Sequence, residues 1–420
     1  MLSTKLRRSI NELNSTPSSG PVDLSSPTFT LDNPNSFGTT ETDYFGFAVG
    51  CSPSYTAVGA YQEDNANGTN AGVVYIYNNS TGSLLHTLSN PNAYNTDAYD
   101  HFGYSVDCSV TYTIAGAEWE DEDTGGNSGK AYIFDNATGN LLHTLDNPNA
   151  YNVPTGDVFG SSVACSETHA VVGAYAEDDG GNESGAIYIF NVVTGQLLHS
   201  IINPNASDVA SSDQFGKFVD CNETITVVGN PNEDLGQTNA GCVYVFNNAT
   251  GSLIQTISDP NVSMENKFGS DVSCSESYIT VGASGEDDVA VLAWNSGLAY
   301  IFDVNTYELL HTLDDPNALG TTEGDTFGRT ISCSDTYVVV GASGEVSETG
   351  STYSGAAYIF DIVTGNLLHS IINPNPYGTG TQDWFSWSVA CDGDYAVIGS
   401  WKEDDATGLD GGKAYLYKLV

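Results

Sequence analysis

Seven times along the chain one short phrase returns, Phe-Gly with a β-branched residue three positions after the Gly, at Phe45, Phe102, Phe159, Phe215, Phe268 and Phe327, with "FSWSV" at Phe385 as the seventh. Neighbouring copies lie 53 to 59 residues apart. A period of that size demands an architecture assembled from equal units. Each unit, as in "FGSSVACSETHAVVGAYAEDDGGNESGAIYIFNVVTGQLLHSIINPN", holds four short apolar, β-branched runs parted by Gly, Asn, Asp, Ser and Thr, with no helical period. Such a unit is a four-stranded antiparallel meander. Seven of them predict an all-β protein, a seven-bladed β-propeller of four-stranded antiparallel blades.

Naming the strands A ("FGSSVAC"), B ("HAVVGA"), C ("GAIYIF") and D ("LLHSI"), the last unit stops after strand C at "GGKAYLYKLV". The missing strand stands at the other end of the chain, where "TFTLDNPN" reads as a D strand and its turn. The N-terminal strand, within 28–35, is therefore expected to complete the last blade and close the ring, leaving no open sheet edge. The [Asn/Asp]-Pro-Asn phrase accordingly occurs seven times, beginning at Asn33, Asn90, Asn147, Asn203, Asp259, Asp315 and Asn373. This divides the chain into an arm and linker, 1–25, and a propeller, 26–420.

The succession of "FGxSV", "VVGA" and "GxxYIF" resembles the FG-GAP repeat, the unit of the seven-bladed head of integrin α subunits and of many microbial surface proteins. The resemblance implies the propeller fold and a binding role. Calcium-binding members carry an Asp-x-Asp-x-Asp-Gly-like loop between strands A and B, whereas that connection here is short, as in "CSETH" at 165–169. The family's calcium sites are not carried over.

Fifty-three Asp and Glu against 10 Lys and Arg give a formal charge of −43, which makes nucleic acid an improbable partner. Self-repulsion of that size keeps a protein soluble and is milder in saline surroundings. Three of the basic residues, Lys5, Arg7 and Arg8, crowd into the first eight positions. No run of 7 to 15 apolar residues follows them, so neither a secretory signal peptide nor membrane insertion is expected. Leu2, Leu6, Ile10 and Leu13 recur at helical spacing, and with Arg7 and Arg8 they suggest a short docking helix ahead of a Pro/Ser/Gly linker; a frayed tail is the alternative.

Seven of the eight cysteines fall six residues after each blade Phe, one register on the innermost strands. They read as buried free thiols, since a disulfide needs a Cα separation below about 7 Å. His86, His143, His199, His311 and His369 share one D-strand position and read as structural, because strand D lies at the rim.

With strands alternating in direction, the D–A and B–C loops emerge on one face. An acid or its amide stands two before each Phe: Asp43, Asp100, Asp157, Asp213, Asn266, Asp325 and Asp383. The B–C loops add Glu63, Glu120, Glu177, Glu233, Glu286, Glu345 and Glu403. These rings either cap turns and accept loop amides or hold divalent cations, Ca2+ first among them. All five tryptophans, Trp119, Trp294, Trp384, Trp387 and Trp401, fall in or beside the same loops, with Tyr94 and Tyr99 near them. They break the sevenfold pattern, which singles them out as an aromatic binding patch near blades 7, 1 and 2; local packing is the bland reading.

The expectation is a non-enzymatic binding or structural module, most simply a surface-exposed virion component of a phage. It would meet a host-surface glycan or protein through the acidic, Trp-bearing face, or other virion proteins through the arm, at the virion surface or elsewhere outside the cell. A bacterial surface adhesin or lectin is the alternative, and a glycosidase using two carboxylates of this face a more distant one.

Overall fold

The computed structural model describes residues 22–35, 42–65, 68–91, 98–121, 126–148, 156–178, 183–205, 213–287, 295–316, 324–346, 353–374, 382–404 and 410–420. They form seven sheets of four antiparallel strands, in the order A-B-C-D. Blade 1 comprises A (Phe45–Cys51), B (Tyr55–Ala60), C (Val73–Asn78) and D (Leu84–Ser89). Strands B and C are covered on both faces by neighbouring blades, so they read as continuous apolar runs rather than alternating ones. Strand D shows the opposite: Leu84 and Leu85 stand at the rim, each 40% exposed.

The ring closes as expected. Phe29–Asp32 pairs antiparallel with Lys413–Lys418, Phe29 opposite Leu416 and Asp32 opposite Lys413, and the buried Lys413 ammonium forms an ion pair with Asp32. The packed chain starts before this strand. Leu24 is buried in a cluster with Val339, Ala357 and Tyr417, and Val22 packs beside it, so the last residues of the expected linker belong to the propeller body. Leu2, Leu6, Arg7, Arg8, Ile10 and Leu13 lie outside the described residues.

Why the repeat keeps its Phe and Gly is visible between blades. The Phe102 N–H donates to Ala71 O (3.0 Å), Phe159 to Ser128 O (3.0 Å) and Phe268 to Ala240 O (3.0 Å), and the bond from Phe45 to Gly411 O (3.2 Å) completes the circle. The acceptor immediately precedes a Gly that opens strand C. At Gly129, φ is +79° and a Cβ would lie 2.0 Å from Phe159 O, so only glycine lets the backbones meet.

Two further contacts join neighbouring blades. Near the axis, Asp107 Oδ2 accepts from Cys165 N–H (2.7 Å) and Asp220 Oδ2 from Cys274 N–H (2.7 Å), while Ser332 Oγ accepts from Cys391 N–H (2.9 Å). All eight cysteines are free and buried, and six of the seven in register, all but Cys221, line one axial cavity. At the rim, His143 Nε2–H donates to Val193 O of the next blade (2.9 Å), and His311 does the same to Val363 O (2.9 Å).

Replacing Gly129 by Ala is expected to destabilise the ring by on the order of 1–3 kcal/mol. Gly156→Ala is the control, since Gly156 has φ +87° but nothing within 4 Å of the added carbon. Denaturant midpoints of the two variants should separate by the cost of the lost close approach.

Candidate binding face

Strand A enters the ring through a bulge. In blade 1 the register slips between Phe45 and Ala48, and equivalent slips occur in blades 2, 5 and 7. The two residues after the Phe thus stand outside the ladder. The residue before it is left-handed in every blade: Tyr44, His101, Val158, Gln214, Lys267, Thr326 and Trp384 have φ between 53° and 60°. Non-glycine residues take this conformation seldom and at a cost. Here the distortion is the fold's way of carrying the chain from the D–A loop into strand A.

Around the axis this builds a mouth. The residue two after each Phe lines one cavity of about 520 Å³: Phe47, Tyr104, Ser161, Lys217, Ser270, Arg329 and Trp387. Such a volume falls in the range of small-ligand sites. Unlike the Phe and the Gly, this position carries no fixed residue type, so the mouth is where the seven blades differ.

The two carboxylate rings lie elsewhere, inside the blades. Asn33 Nδ2 donates to Asp43 Oδ2 (2.9 Å), Asn90 to Asp100 (2.9 Å), Asn147 to Asp157 (2.9 Å), Asn203 to Asp213 (3.1 Å) and Asn373 to Asp383 (2.8 Å). Blade 5 exchanges the partners: Asn266 Nδ2 donates to Asp259 Oδ2 (2.7 Å). The repeated Asn-Pro-Asn phrase is therefore one half of a buried amide–carboxylate pair.

Each Glu of the second ring accepts from a strand-C tyrosine. Tyr75 OH donates to Glu63 (2.6 Å), Tyr132 to Glu120 (2.6 Å), Tyr188 to Glu177 (3.1 Å), Tyr244 to Glu233 (3.2 Å), Tyr300 to Glu286 (2.7 Å), Tyr358 to Glu345 (2.6 Å) and Tyr415 to Glu403 (2.5 Å). Burial pushes Glu63 and Glu120 up to about 8 and Glu403 to about 7. Among the described residues no group of three or more His, Cys, Asp or Glu is arranged to hold a metal ion. The rings read as blade-internal hydrogen-bond networks.

Blade 6 departs from the pairing, because both members are acids, Asp315 and Asp325. Burial, then the Asp315 and Glu345 charges, push Asp325 up to about 8.

The aromatic residues do meet. Tyr353 stacks on Trp384 (centroids 4.5 Å apart), Trp384 meets Trp387 (5.5 Å), and Trp387 meets Trp401 (5.2 Å). From Trp401 the chain of rings runs to Phe47 (5.7 Å), then to Tyr61 (4.5 Å), to His101 (5.0 Å) and to Trp119 (4.3 Å, stacked). This unbroken arc covers the blade 7, 1 and 2 side of the mouth and ends at Trp119, which is 41% exposed. Tyr99 is exposed on the same face but outside the arc; Trp294 and Tyr94 lie outside the described residues.

Sequence reasoning passed over Tyr44, Phe47, Tyr61, Tyr104, Lys217 and Arg329. The signal was available as a column: two after each Phe, small residues alternate with large aromatic or basic ones that no packing rule of the repeat requires.

The FG-GAP repeat matches seven times, over residues 38–77, 92–134, 150–190, 205–246, 252–302, 318–360 and 376–417. No curated protein matches the chain.

Asp325 binds its proton more tightly in the folded than in the unfolded chain. Stability therefore falls as pH rises from the ordinary value, 3.8, through about 8. Asp315→Asn restores the pair of the other blades, and is expected to stabilise by on the order of 1–3 kcal/mol near pH 8 and by much less at pH values below the ordinary carboxyl range. Equal gains at both pH values, read from denaturant midpoints, would show that repulsion between the two acids is not what the variant relieves.

Proposed function

Because the chain belongs to the FG-GAP repeat family, whose propellers are generally non-catalytic binding or structural modules, we propose that it is a non-enzymatic recognition module displayed on a virion surface, which meets a host-surface glycan with the face bearing the aromatic arc. The observation that carries this reading is the arc itself. The ring needs one Phe per blade for its packing, but the rings from Tyr353 to Trp119 gather on one side of one mouth, where the sevenfold pattern is broken. Clustered aromatic anchors beside polar groups are what binding surfaces concentrate.

Catalysis has less support. A glycosidase places two carboxyl groups on one space, whereas among the described residues lining the mouth on this face only Asp271 carries one. That carboxylate already accepts from Val272 N–H (3.0 Å) and Ile331 N–H (2.8 Å). Display on a particle is supported by the arm, whose basic and leucine residues contrast with the acidic body.

Two measurements test the reading. On an array of host-type oligosaccharides, Trp119→Ala and Trp387→Ala should each weaken binding about tenfold or more while the melting midpoint stays near that of the parent; undiminished binding by both would refute the arc as the recognition surface. Removing residues 1–20 should abolish co-sedimentation with the particle and leave glycan binding intact. Retained co-sedimentation would refute docking through the arm and favour attachment by the propeller, as in a cell-surface adhesin.

A further inference from the structure

Outside the arm the sequence holds seven basic residues: Lys130, Lys217, Lys267, Arg329, Lys402, Lys413 and Lys418. Lys130 and Lys413 are buried within blades as ion pairs with Asp146 and Asp32, and Lys418 ends the last strand. The other four gather at the axial mouth. Lys217, Lys267 and Arg329 line the cavity, and Lys402 lies beside it with its ammonium 4.6 Å from the Trp401 ring centre. In a chain this acidic, a cluster of positive charge demands an explanation.

Neighbouring acids do not supply one. Among the described residues none of the three lining cations forms an ion pair; Lys217 Nζ donates to the neutral Gln214 Oε1 (3.0 Å). Burial lowers the Lys217 pKa, and the Lys267 and Arg329 charges lower it further, with the Glu118 charge offsetting this only in part, so the half-buried Lys217 and Arg329 and the exposed Lys267 repel one another. The one carboxyl in the lining, Asp271, is half-buried, and its desolvation pushes it up to about 7. Such an arrangement is stabilised by an anion from outside the chain.

The mouth is two-sided. Lys217, Lys267 and Arg329 belong to blades 4, 5 and 6, and Phe47, Tyr104 and Trp387 to blades 1, 2 and 7. Arg329 bridges the halves, its guanidinium 3.9 Å from the centre of the Trp387 ring. Stacking of this kind orders the guanidinium plane, and its N–H edges still hydrogen-bond anions in a forked geometry that a lysine lacks. The lining also carries hydroxyl and amide groups, among them Ser161, Ser270, Thr330 and Asn232. An apolar flat face, an anionic group and several hydroxyl partners together describe one ligand chemistry.

We infer that the axial cavity binds an acidic sugar, a pyranose bearing an anionic group, with the anion between Lys217, Lys267 and Arg329 and the ring against Phe47, Tyr104 and Trp387. This rests on the glycan-binding reading and narrows it from a surface to a cavity and a charge. The net charge of −43 does not forbid it. At physiological ionic strength fields fade over about 8 Å, so an anion inside the mouth is governed by the cations lining it.

The test uses the full chain and matched probes: N-acetylneuraminyl-lactose and glucuronic-acid oligosaccharides for a carboxylate, 3-sulfo-lactose for a sulfate ester, and lactose as the neutral parent. Calorimetric titration should show one anionic probe binding at least about tenfold more tightly than lactose, with the preference shrinking as salt is added. Which anionic probe binds identifies the source of the charge. Lys217→Gln and Arg329→Gln should each remove most of the preference, while Lys418→Gln leaves it intact. Salt dependence of the unaltered protein stands as a second readout should a variant fail to fold.

Equal affinity for lactose and the anionic probes, lost in Trp119→Ala, would overturn the inference and leave the aromatic arc as the binding surface. A charge preference lost in the Lys217 and Arg329 variants, with affinity weakened in Trp387→Ala but untouched in Trp119→Ala, would support the cavity and count against the outer part of the arc; affinity untouched in Trp387→Ala would overturn the placement of the sugar ring. Absence of binding by every probe would overturn the acidic-sugar assignment, and the recognition reading would then be judged by particle attachment in the tryptophan variants.

Discussion

A single backbone hydrogen bond, repeated around the circle, is what the rest of this molecule depends on. The amide of the Phe that opens strand A reaches the carbonyl preceding the Gly that opens strand C in the blade before it, as Phe159 reaches Ser128. The bond is neutral and each copy contributes about 1 kcal/mol. Its importance is geometric. By bringing two backbones together where no Cβ fits, it sets the spacing between blades and fixes where the D–A loop must turn, and it is responsible for the left-handed residue just before the Phe. The axial Asp and Ser contacts and the rim histidines hold the same interface at its two other levels, so neighbouring blades are joined at inner, middle and outer radius.

Much of this was legible from residue order alone. The period, the four strands per unit and the displaced D strand all follow from pattern, because a sheet buried on both faces can be written only with β-branched and aromatic runs. The cysteine register was equally plain. The acids were harder. Asp43 and Glu63 and their equivalents are polar, regular and near loops, which from sequence describes an exposed ring and a buried network alike. One clue separates the two: in blade 5 the pair reads Asp259 and Asn266, the reverse of Asn33 and Asp43, and a reciprocal exchange makes sense only if the two side chains bond to each other. The mouth residues escaped notice for another reason. Strict alternation along strand A assigns sides by parity; in blades 1 and 2 the bulge after the Phe resets that parity for Phe47 and Tyr104, and in blades 4 and 6 the ladder starts only at Phe218 and Thr330, so Lys217 and Arg329 reach the axial cavity from ahead of it.

The axis is electrically uneven. At the A–B end the cysteines are accompanied by Asp107, Asp220, Glu223 and Asp335, with Asp107 and Asp220 engaged by backbone N–H groups of the next blade. At the other end the lining carries Lys217, Lys267 and Arg329. An acidic surface surrounding a small cationic opening gives a charged ligand one place to go and repels it elsewhere, which sharpens selectivity more than it raises affinity. In the proposed recognition of an anionic ligand the acids would count as much as the bases.

The bulge carries an implication for how such a protein changes. The residue before the Phe and the one two after it stand beside the sheet ladders without belonging to them, yet they decide what the mouth presents. Exchanging them leaves the inter-blade bond, the buried amide–carboxylate pair and the tyrosine–glutamate contact in place. The ring is therefore a fixed frame with interchangeable fittings, in which what the mouth presents is set at a few positions per blade that take no part in the contacts holding the frame. Blade 7 shows how far this tolerance extends: Ser386 takes the glycine's place after the Phe, holds φ at +66° and anchors itself through a hydrogen bond from its Oγ to Ala356 O (2.7 Å).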